Sequence, residues 1–380
     1  MRHYNYIPGL DQAGFDVTTA PLLDNDYLDR LYNGKPRNPQ ALFKAYLRRV
    51  RRLLTARRYD LIWIEKEALP WAPAMLETIF FGKQPVVIDF DDAWYVRYAT
   101  HPNWAVRLVL GGKFQKPVSK ARVVTTGSTA LKNWAQASKA ARVVQLPSAV
   151  DIGRYQLMPL PDGPFTIGWI GTPTNARYLE LVADPLRYMQ RVWGARVRVI
   201  GAEHFSLPGL SIDHIPWREE TESLELAACH VGIMPLRDGL WEQGKCGYKV
   251  IQYMAAGRAT VASPIGANTS IIVHGQTGFL AATSEDWISA LSSLAADREQ
   301  TRKLGLAARQ RAEEMYSLQS NLHTIIAVLS DALRSSDPKL QNETLIESPK
   351  EVLVEAPAMI NYSVSPNLGK ATSAKRQSSF

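Results

Sequence analysis

The feature that most constrains the fold is an alternation between short apolar segments rich in β-branched residues and longer segments with helical periodicity. Continuous apolar segments of this kind are typical of parallel strands that are buried on both faces. Strands that alternate with helices form βαβ units and parallel sheets. We therefore predict an α/β fold with two doubly wound, Rossmann-like domains that face each other across a cleft. The ten predicted strands are Phe15–Leu22, Asp60–Glu65, Pro85–Phe90, Ala121–Thr126, Ala141–Leu146, Phe165–Ile170, Ala195–Ile200, His230–Leu236, Arg258–Ser263 and Gly278–Ala281.

A linker between the two halves is predicted near Asp151–Pro164, where the sequence MPLPDGP contains three prolines and a glycine. The predicted linker divides the chain into an N-terminal domain (1–152) and a C-terminal domain (153–315). A helix (316–334) follows and is expected to pack back on the N-terminal domain. Residues 335–380 are poor in apolar residues and are predicted to be mostly disordered, apart from the short apolar sequence EVLVEAPAMI.

The beginning of the sequence departs from a doubly wound domain, which normally starts with a strand. MRHYNYIPGLDQAGFDV instead begins with a helix-like segment that leads into the first predicted strand. A first strand is therefore expected to be missing, either because the start codon is misassigned or because the chain is truncated.

Composition favours an intracellular protein without a resident metal or cofactor. The two cysteines, Cys229 and Cys246, provide no disulfide framework and fit a reducing cytoplasm. The sequence has neither a signal peptide nor an apolar run of about 18 residues. No Cys/His cluster indicates a metal site, and no motif indicates nucleic-acid binding.

The segment Lys44–Arg58 carries seven cations and no acid, although the net charge of the whole chain is only +8. Apolar residues recur within it at helical spacing. Such a basic amphipathic helix can lie on an anionic membrane surface. The alternative is that its apolar face packs on the sheet, and both interpretations can hold together.

The most informative segment is Gly239–Phe279. A loop containing Gly244 and Gly247 follows a predicted strand and precedes a predicted helix, Tyr248–Ala256. Glycine allows the backbone to approach a ligand closely, and free N–H groups at a helix N-terminus favour a phosphate. Lys245 and Lys249 add positive charge at the same place.

This segment resembles the donor-binding region of the group 1 retaining glycosyltransferases of GT-B fold. The matching sequences are GKCGYKVIQYMAAG, ATVAS and HGQTGFL, with weaker similarity at DFDDAWYVRY, VTTGSTAL and LPSAVDIGRY. The resemblance implies a retaining hexosyltransferase whose C-terminal domain binds a UDP- or GDP-sugar and whose N-terminal domain faces the acceptor. It further implies a sugar or lipid-linked acceptor, a role in polysaccharide or glycoconjugate synthesis, and a peripheral position on the inner face of the membrane.

The resemblance also implies the site residues. The donor-binding residues would be Gly171, Thr172, Lys245, Cys246, Gly247, Lys249 and Gln252, and the catalytic residues Asp91, Asp92 and Lys245. Asp89, Asp91 and Asp92 stand at the end of a predicted strand, where three carboxylates can bind a metal, orient an acceptor hydroxyl or act as a base. The alternative is that Asp91 or Asp92 caps the next turn while the other carboxylates are solvated.

Several positions depart from the family pattern. Gly244 and Gln252 occupy the places of two glutamates that the family spaces eight residues apart, and Glu242 is a candidate substitute for the first. The basic residues that follow the first strand of the family's donor domain are not evident, and Arg177 is a candidate replacement. Two functions therefore remain as alternatives to a transferase. The protein would be a non-catalytic relative that binds a nucleotide sugar or a partner enzyme, or it would be a nucleotide-sugar epimerase.

Overall fold

The computed structural model describes residues 2–24, 27, 30, 36, 38–334 and 350–356. These residues form two six-stranded sheets in which every pair of neighbouring strands is parallel. The strands are β1 (Phe15–Pro21), β2 (Leu61–Glu65), β3 (Val86–Phe90), β4 (Val123–Thr126), β5 (Val143–Gln145), β6 (Thr166–Ile170), β7 (Arg196–Ile200), β8 (Asp213–Ile215), β9 (Val231–Met234), β10 (Ala259–Ala262), β11 (Gly278–Leu280) and β12 (Lys350–Ala356).

Helices connect the strands and cover both faces of the sheets. They are α1 (Ile7–Gln12), α2 (Pro39–Thr55), α3 (Ala74–Phe81), α4 (Trp94–Ala99), α5 (Trp104–Leu110), α6 (Gln115–Lys120), α7 (Thr129–Ala137), α8 (Pro173–Ala176), α9 (Ala183–Trp193), α10 (Glu222–Ala227), α11 (Leu240–Gln243), α12 (Tyr248–Ala255), α13 (Asn268–Ile271), α14 (Ser284–Ala296), α15 (Arg298–Met315) and α16 (Leu318–Arg334). Within the described residues, no helix is both long and apolar enough to cross a bilayer.

The predicted α/β class is confirmed, and all ten predicted strands lie where the apolar segments placed them. In the first sheet, Ile62 and Ile64 pack into the core on one face while Leu61 and Trp63 pack into the core on the other. Burial of both faces explains why these strands are continuously apolar in sequence. The short strand β8 lies in the sequence SIDHIPW and was not predicted, because it is half exposed and only three residues long.

The first sheet contains a strand that the sequence did not lead us to expect. Its order is β1-β12-β2-β3-β4-β5, so β12 lies between β1 and β2 and pairs with both. The first strand of a Rossmann-like sheet occupies this place, between the second and fourth strands. The expectation of a missing first strand is therefore not confirmed, since the sheet has no gap there.

The same strand includes the first six residues of the apolar sequence EVLVEAPAMI, which the prediction of a disordered tail set apart. Residues 335–349 and 357–380 lie outside the described residues, whereas Lys350–Ala356 forms β12. Leu353 is buried on one face, and Val352 and Val354 are buried on the other. A short apolar segment in a polar tail gains enough from burial on both faces to form the centre of a sheet.

Helix α16 packs against the first sheet although it follows the C-terminal domain in the chain. Its buried residues Ile325, Val328 and Leu329 share a core with Leu61 and Trp63 of β2. The chain therefore crosses from the second sheet back to the first before β12.

The basic helix α2 begins after Asn38, whose side chain accepts hydrogen bonds from the N–H groups of Gln40 and Ala41. One face is buried through Ala45, Arg49 and Leu53. Another face leaves apolar side chains exposed among the cations, namely those of Phe43, Leu47 and Leu54. Packing on the sheet thus uses only part of the apolar surface of the helix.

The position of β12 leads to a prediction about stability. Leu353 has no exposed surface, so Leu353→Ala should lower the free energy of unfolding by about 2–5 kcal/mol, because it leaves a cavity in a packed core. Urea denaturation measures the change. Glu351→Ala, on the exposed part of the same strand, should change it by less than about 0.5 kcal/mol. Equal effects of the two substitutions would contradict the central position of β12.

Candidate active site

A cavity of about 540 Å³ lies between the two sheets, at the carboxyl ends of their strands. This is where ligands bind in doubly wound domains. Residues from both domains line the cavity, and all nine predicted site residues are among them: Asp91, Asp92, Gly171, Thr172, Lys245, Cys246, Gly247, Lys249 and Gln252.

The two domains touch at the base of the cavity. The Cys246 thiol donates to the carbonyl oxygen of Asp91 at 2.8 Å. Gly244 packs so closely on Ala93 that a Cβ at this position would overlap the Ala93 side chain. Glycine at 244 is therefore explained by the contact between domains, and the contact brings Asp91 and Asp92, which follow β3, next to the loop before α12.

Helix α12 presents its N-terminus to the cavity. Gly247, which precedes the helix, has φ +68°, a conformation that glycine adopts without strain. The first N–H groups of a helix have no intrahelical partner and carry partial positive charge. Lys245 and Lys249 line the cavity beside them, so this wall is positive.

Lys249 is held in an unusual environment. Its Nζ lies 4.2 Å from the centre of the Trp169 ring and close to Gly171, where any Cβ would overlap it. Burial and the neighbouring Lys245 lower the pKa of Lys249 to about 7. An anionic ligand would strongly stabilise the charged form of a lysine in this environment.

The carboxylates on the opposite wall differ from each other. Asp91 forms an ion pair with Lys66 at 2.9 Å, and Lys66 also bonds to Glu65 at 2.8 Å. Burial opposes the charge on Lys66, but Asp91 and Glu65 outweigh it and raise the pKa of Lys66. For Asp92, burial and the charge of Asp91 raise the pKa to about 6. A carboxylate with a raised pKa is suited to accept a hydroxyl proton, and this is the role that the position of Asp92 allows.

Gln252 belongs to a polar network that sequence reasoning missed. Its Nε2 donates to Glu222 at 2.9 Å, and the same carboxylate accepts bonds from the Tyr155 hydroxyl at 2.7 Å and from Trp217 Nε1 at 2.8 Å. Glu222 and Trp217 both line the cavity. A carboxylate is therefore present beside Gln252, but it comes from α10. No local motif marks it, because the two residues are 30 positions apart.

The two candidate substitutes do not reach the cavity. Glu242 is buried and accepts a 2.5 Å hydrogen bond from the Tyr178 hydroxyl, and it is not among the residues that line the cavity. Arg177 is exposed and lies over the Tyr178 ring. Neither position confirms the suggested replacement.

Arg2 is a second residue that the sequence did not indicate. Its Nε donates to Asp89 at 2.7 Å, and one Nη donates to the carbonyl oxygen of Leu146. The side chain is buried and lines the cavity. It links the ends of β3 and β5 and adds positive charge beside Asp91. Among the described residues there is no group of three or more metal-binding side chains.

Known proteins resemble this chain in part of its sequence and in its fold. Residues 164–297 match the family described as glycosyl transferases group 1. A search of curated protein sequences found no match. The matched residues span the second sheet and the loop before α12, and this part of the chain is therefore similar to a group 1 glycosyltransferase domain.

Several solved structures resemble this chain over both of its domains. HepE from Anabaena, solved in complex with UDP-glucose, is 15% identical with a TM-score of 0.64, over 86% of this chain and 94% of that chain. A glycosyltransferase from Rickettsia africae is 14% identical with a TM-score of 0.58, over 90% and 93%. Sucrose-phosphate synthase from Thermosynechococcus elongatus is 15% identical with a TM-score of 0.59, over 80% and 82%. At these identities the likeness establishes the fold, which is the GT-B fold of glycosyltransferases.

The environment of Lys249 gives a prediction for the ligand-free protein. Lys245→Met should raise the pKa of Lys249 above its value of about 7, because it removes a neighbouring positive charge. NMR of ¹³C-methylated lysines measures the titration. Lys303→Met, on the exposed surface of α15, should leave it unchanged. An unaltered Lys249 titration in Lys245→Met would contradict the proximity of the two cations.

Proposed function

We propose that this protein transfers a sugar from a nucleoside diphosphate sugar to an acceptor hydroxyl, with retention of configuration at the anomeric carbon. The observation that carries the proposal is the positive wall formed by Lys245, Lys249 and the N-terminus of α12, facing the carboxylates Asp91 and Asp92 across a cavity. The group 1 glycosyltransferase domain over residues 164–297 supports the same reaction class.

The charges of the cavity are opposite to those that develop during sugar transfer. Transfer places positive charge on the anomeric carbon and negative charge on the departing diphosphate. The lysines and the helix N–H groups stabilise the diphosphate, and the cavity positions both reactants. Asp92, with its raised pKa, accepts the proton of the acceptor hydroxyl or orients it. Trp217 and the Glu222–Gln252 pair surround the nucleoside, where a carboxylate can accept bonds from ribose hydroxyls.

UDP is the donor nucleotide that we favour. HepE from Anabaena has been solved with UDP, with UDP and glucose, and with UDP-glucose. The proposal places a UDP-hexose in this cavity, with GDP-sugars as the alternative, and assigns the product to polysaccharide or glycoconjugate synthesis.

The function is tested by nucleotide binding and by transfer from labelled donors. Lys245→Ala and Lys249→Ala should each weaken UDP binding by about 1–3 kcal/mol, the range for hydrogen bonds to charged groups. Calorimetric titration with UDP, GDP and ADP measures this. Lys303→Ala, whose side chain is 71% exposed, is the matched control and should bind like the unmodified protein.

The outcomes separate the alternatives. Binding without sugar release or transfer would support a non-catalytic relative. A changed sugar with the nucleotide still attached would identify an epimerase. Binding of UDP that is unaffected in both lysine variants would refute the assignment of the diphosphate site. If none of the three nucleotides binds to the unmodified chain, the proposed function is wrong.

We further propose that the protein works at the cytoplasmic face of an anionic membrane, where a lipid-linked acceptor would be presented. Exposed Phe43, Leu47 and Leu54 on α2 stand among the cations of that helix. Neighbouring α3 exposes Met75 and Ile79 as well. Apolar side chains that insert beside cations are typical of helices lying in a membrane interface.

Vesicle sedimentation tests the membrane proposal. Phe43→Ser combined with Leu54→Ser should reduce binding to phosphatidylglycerol vesicles by about thirtyfold or more, since each of the two exposed apolar side chains contributes about 1 kcal/mol or more when it is buried in lipid. Leu108→Ser combined with Val109→Ser, also exposed but on α5, is the matched control. Equal binding of the unmodified protein to neutral and anionic vesicles would contradict the proposal.

A further inference from the structure

A row of aromatic and cationic side chains leads from the aspartates of the cavity towards the protein surface. We call it the aromatic cluster, and it consists of Trp71, Trp94, Arg97, His101 and Trp241. It starts at Lys66, whose Nζ lies 2.9 Å from Asp91 and 5.3 Å from the centre of the Trp94 ring.

Each member of the cluster contacts the next one in space. The Arg97 guanidinium lies over two rings, 4.9 Å from the centre of Trp94 and 5.3 Å from the centre of Trp71. Trp71 also meets His101 edge-on, with ring centres 5.6 Å apart. Trp241, from the other domain, meets Trp94 edge-on at 5.8 Å. The cluster therefore spans the junction of the domains on the acceptor side of the cavity.

Trp71 lies at the outer end and remains 47% exposed. It belongs to the loop Lys66–Ala72, which follows β2. Of the three non-glycine residues with positive φ in the described part of the chain, two are in this loop: Lys66 at +66° and Trp71 at +61°. Such conformations cost free energy and persist only where the surrounding structure imposes them, commonly at functional sites.

Buried polar contacts impose the loop conformation. The Trp71 N–H donates to the Tyr98 hydroxyl at 3.0 Å, and that hydroxyl donates to Glu67 at 3.0 Å. Lys113, which is fully buried, forms ion pairs with Glu67 at 2.5 Å and with Glu77 at 2.9 Å. A tryptophan that is exposed, strained and rigidly supported is better explained by a ligand than by packing.

We propose that the aromatic cluster binds a neutral pyranose ring of the acceptor, with the ring stacked on Trp71 and its hydroxyls directed to Arg97. This rests on the function proposed above and names the acceptor class as a glycan. A pyranose presents a face of C–H groups that an indole ring covers and an edge of hydroxyls that a guanidinium and a carboxylate bind. A free anionic acceptor fits less well, because two carboxylates stand at the inner end of the cluster.

The test uses methyl glycosides of glucose, galactose, mannose and N-acetylglucosamine as probes, with the unmodified full chain saturated with UDP. Saturation-transfer NMR measures binding. Trp71→Ala should weaken the binding of the preferred glycoside by about tenfold, and Trp71→Phe should restore part of it because an aromatic face returns. Trp193→Ala is the matched control, since Trp193 is 38% exposed on α9 of the other domain.

Thermal unfolding of each variant shows that the fold is retained, and UDP titration of the same samples separates the two proposals. If UDP does not bind to the unmodified chain, the proposed function fails. If UDP binds but no glycoside does, or if Trp71→Ala binds glycosides as tightly as Trp193→Ala, the glycan site alone is refuted. Loss of binding to phosphatidylglycerol vesicles in Trp71→Ala, with glycoside binding unchanged, would assign Trp71 to lipid and also overturn the glycan site.

Discussion

The contact between the loop before α12 and the end of β3 organises the whole site. Gly244 packs directly on Ala93, and the Cys246 thiol bonds to the backbone of Asp91. A side chain at 244 would push the domains apart. Because the contact is so close, the cations at the start of α12 and the carboxylates after β3 line one cavity, with the charge separation that transfer of a sugar from a diphosphate requires.

Some charged residues of the cavity have an ion-pair partner and others have a shifted pKa. This difference separates the roles of these residues. Asp91 is neutralised by Lys66, whereas burial and Asp91 raise the pKa of Asp92. On the other wall, burial and Lys245 lower the pKa of Lys249. Groups with strongly shifted pKa values are concentrated at functional sites because catalytic groups need pKa values that match their task. Under the proposed function, the cavity takes an anion on one side and a hydroxyl on the other.

The first sheet depends on a segment from the far end of the described chain. β12 lies between β1 and β2, and its residues Val352, Leu353 and Val354 join the cores on both faces. Together with α16, it ties the end of the described chain to the domain that carries Asp91 and Asp92. The order of strands along the chain therefore differs from their order in the sheet, although the sheet itself is a complete parallel one.

The sequence by itself determined the α/β class and the ten strands, and it named nine of the residues that line the cavity, because apolar runs and the Gly–Lys loop are local patterns. It did not reveal Glu222 or Arg2, since their partners are Gln252 and Asp89, 30 and 87 positions away. It marked EVLVEAPAMI as apolar but did not place it, because the position of β12 between β1 and β2 depends on pairing with two distant strands. Only the tertiary structure decided these points, because pairing and burial between distant segments have no signature in local sequence.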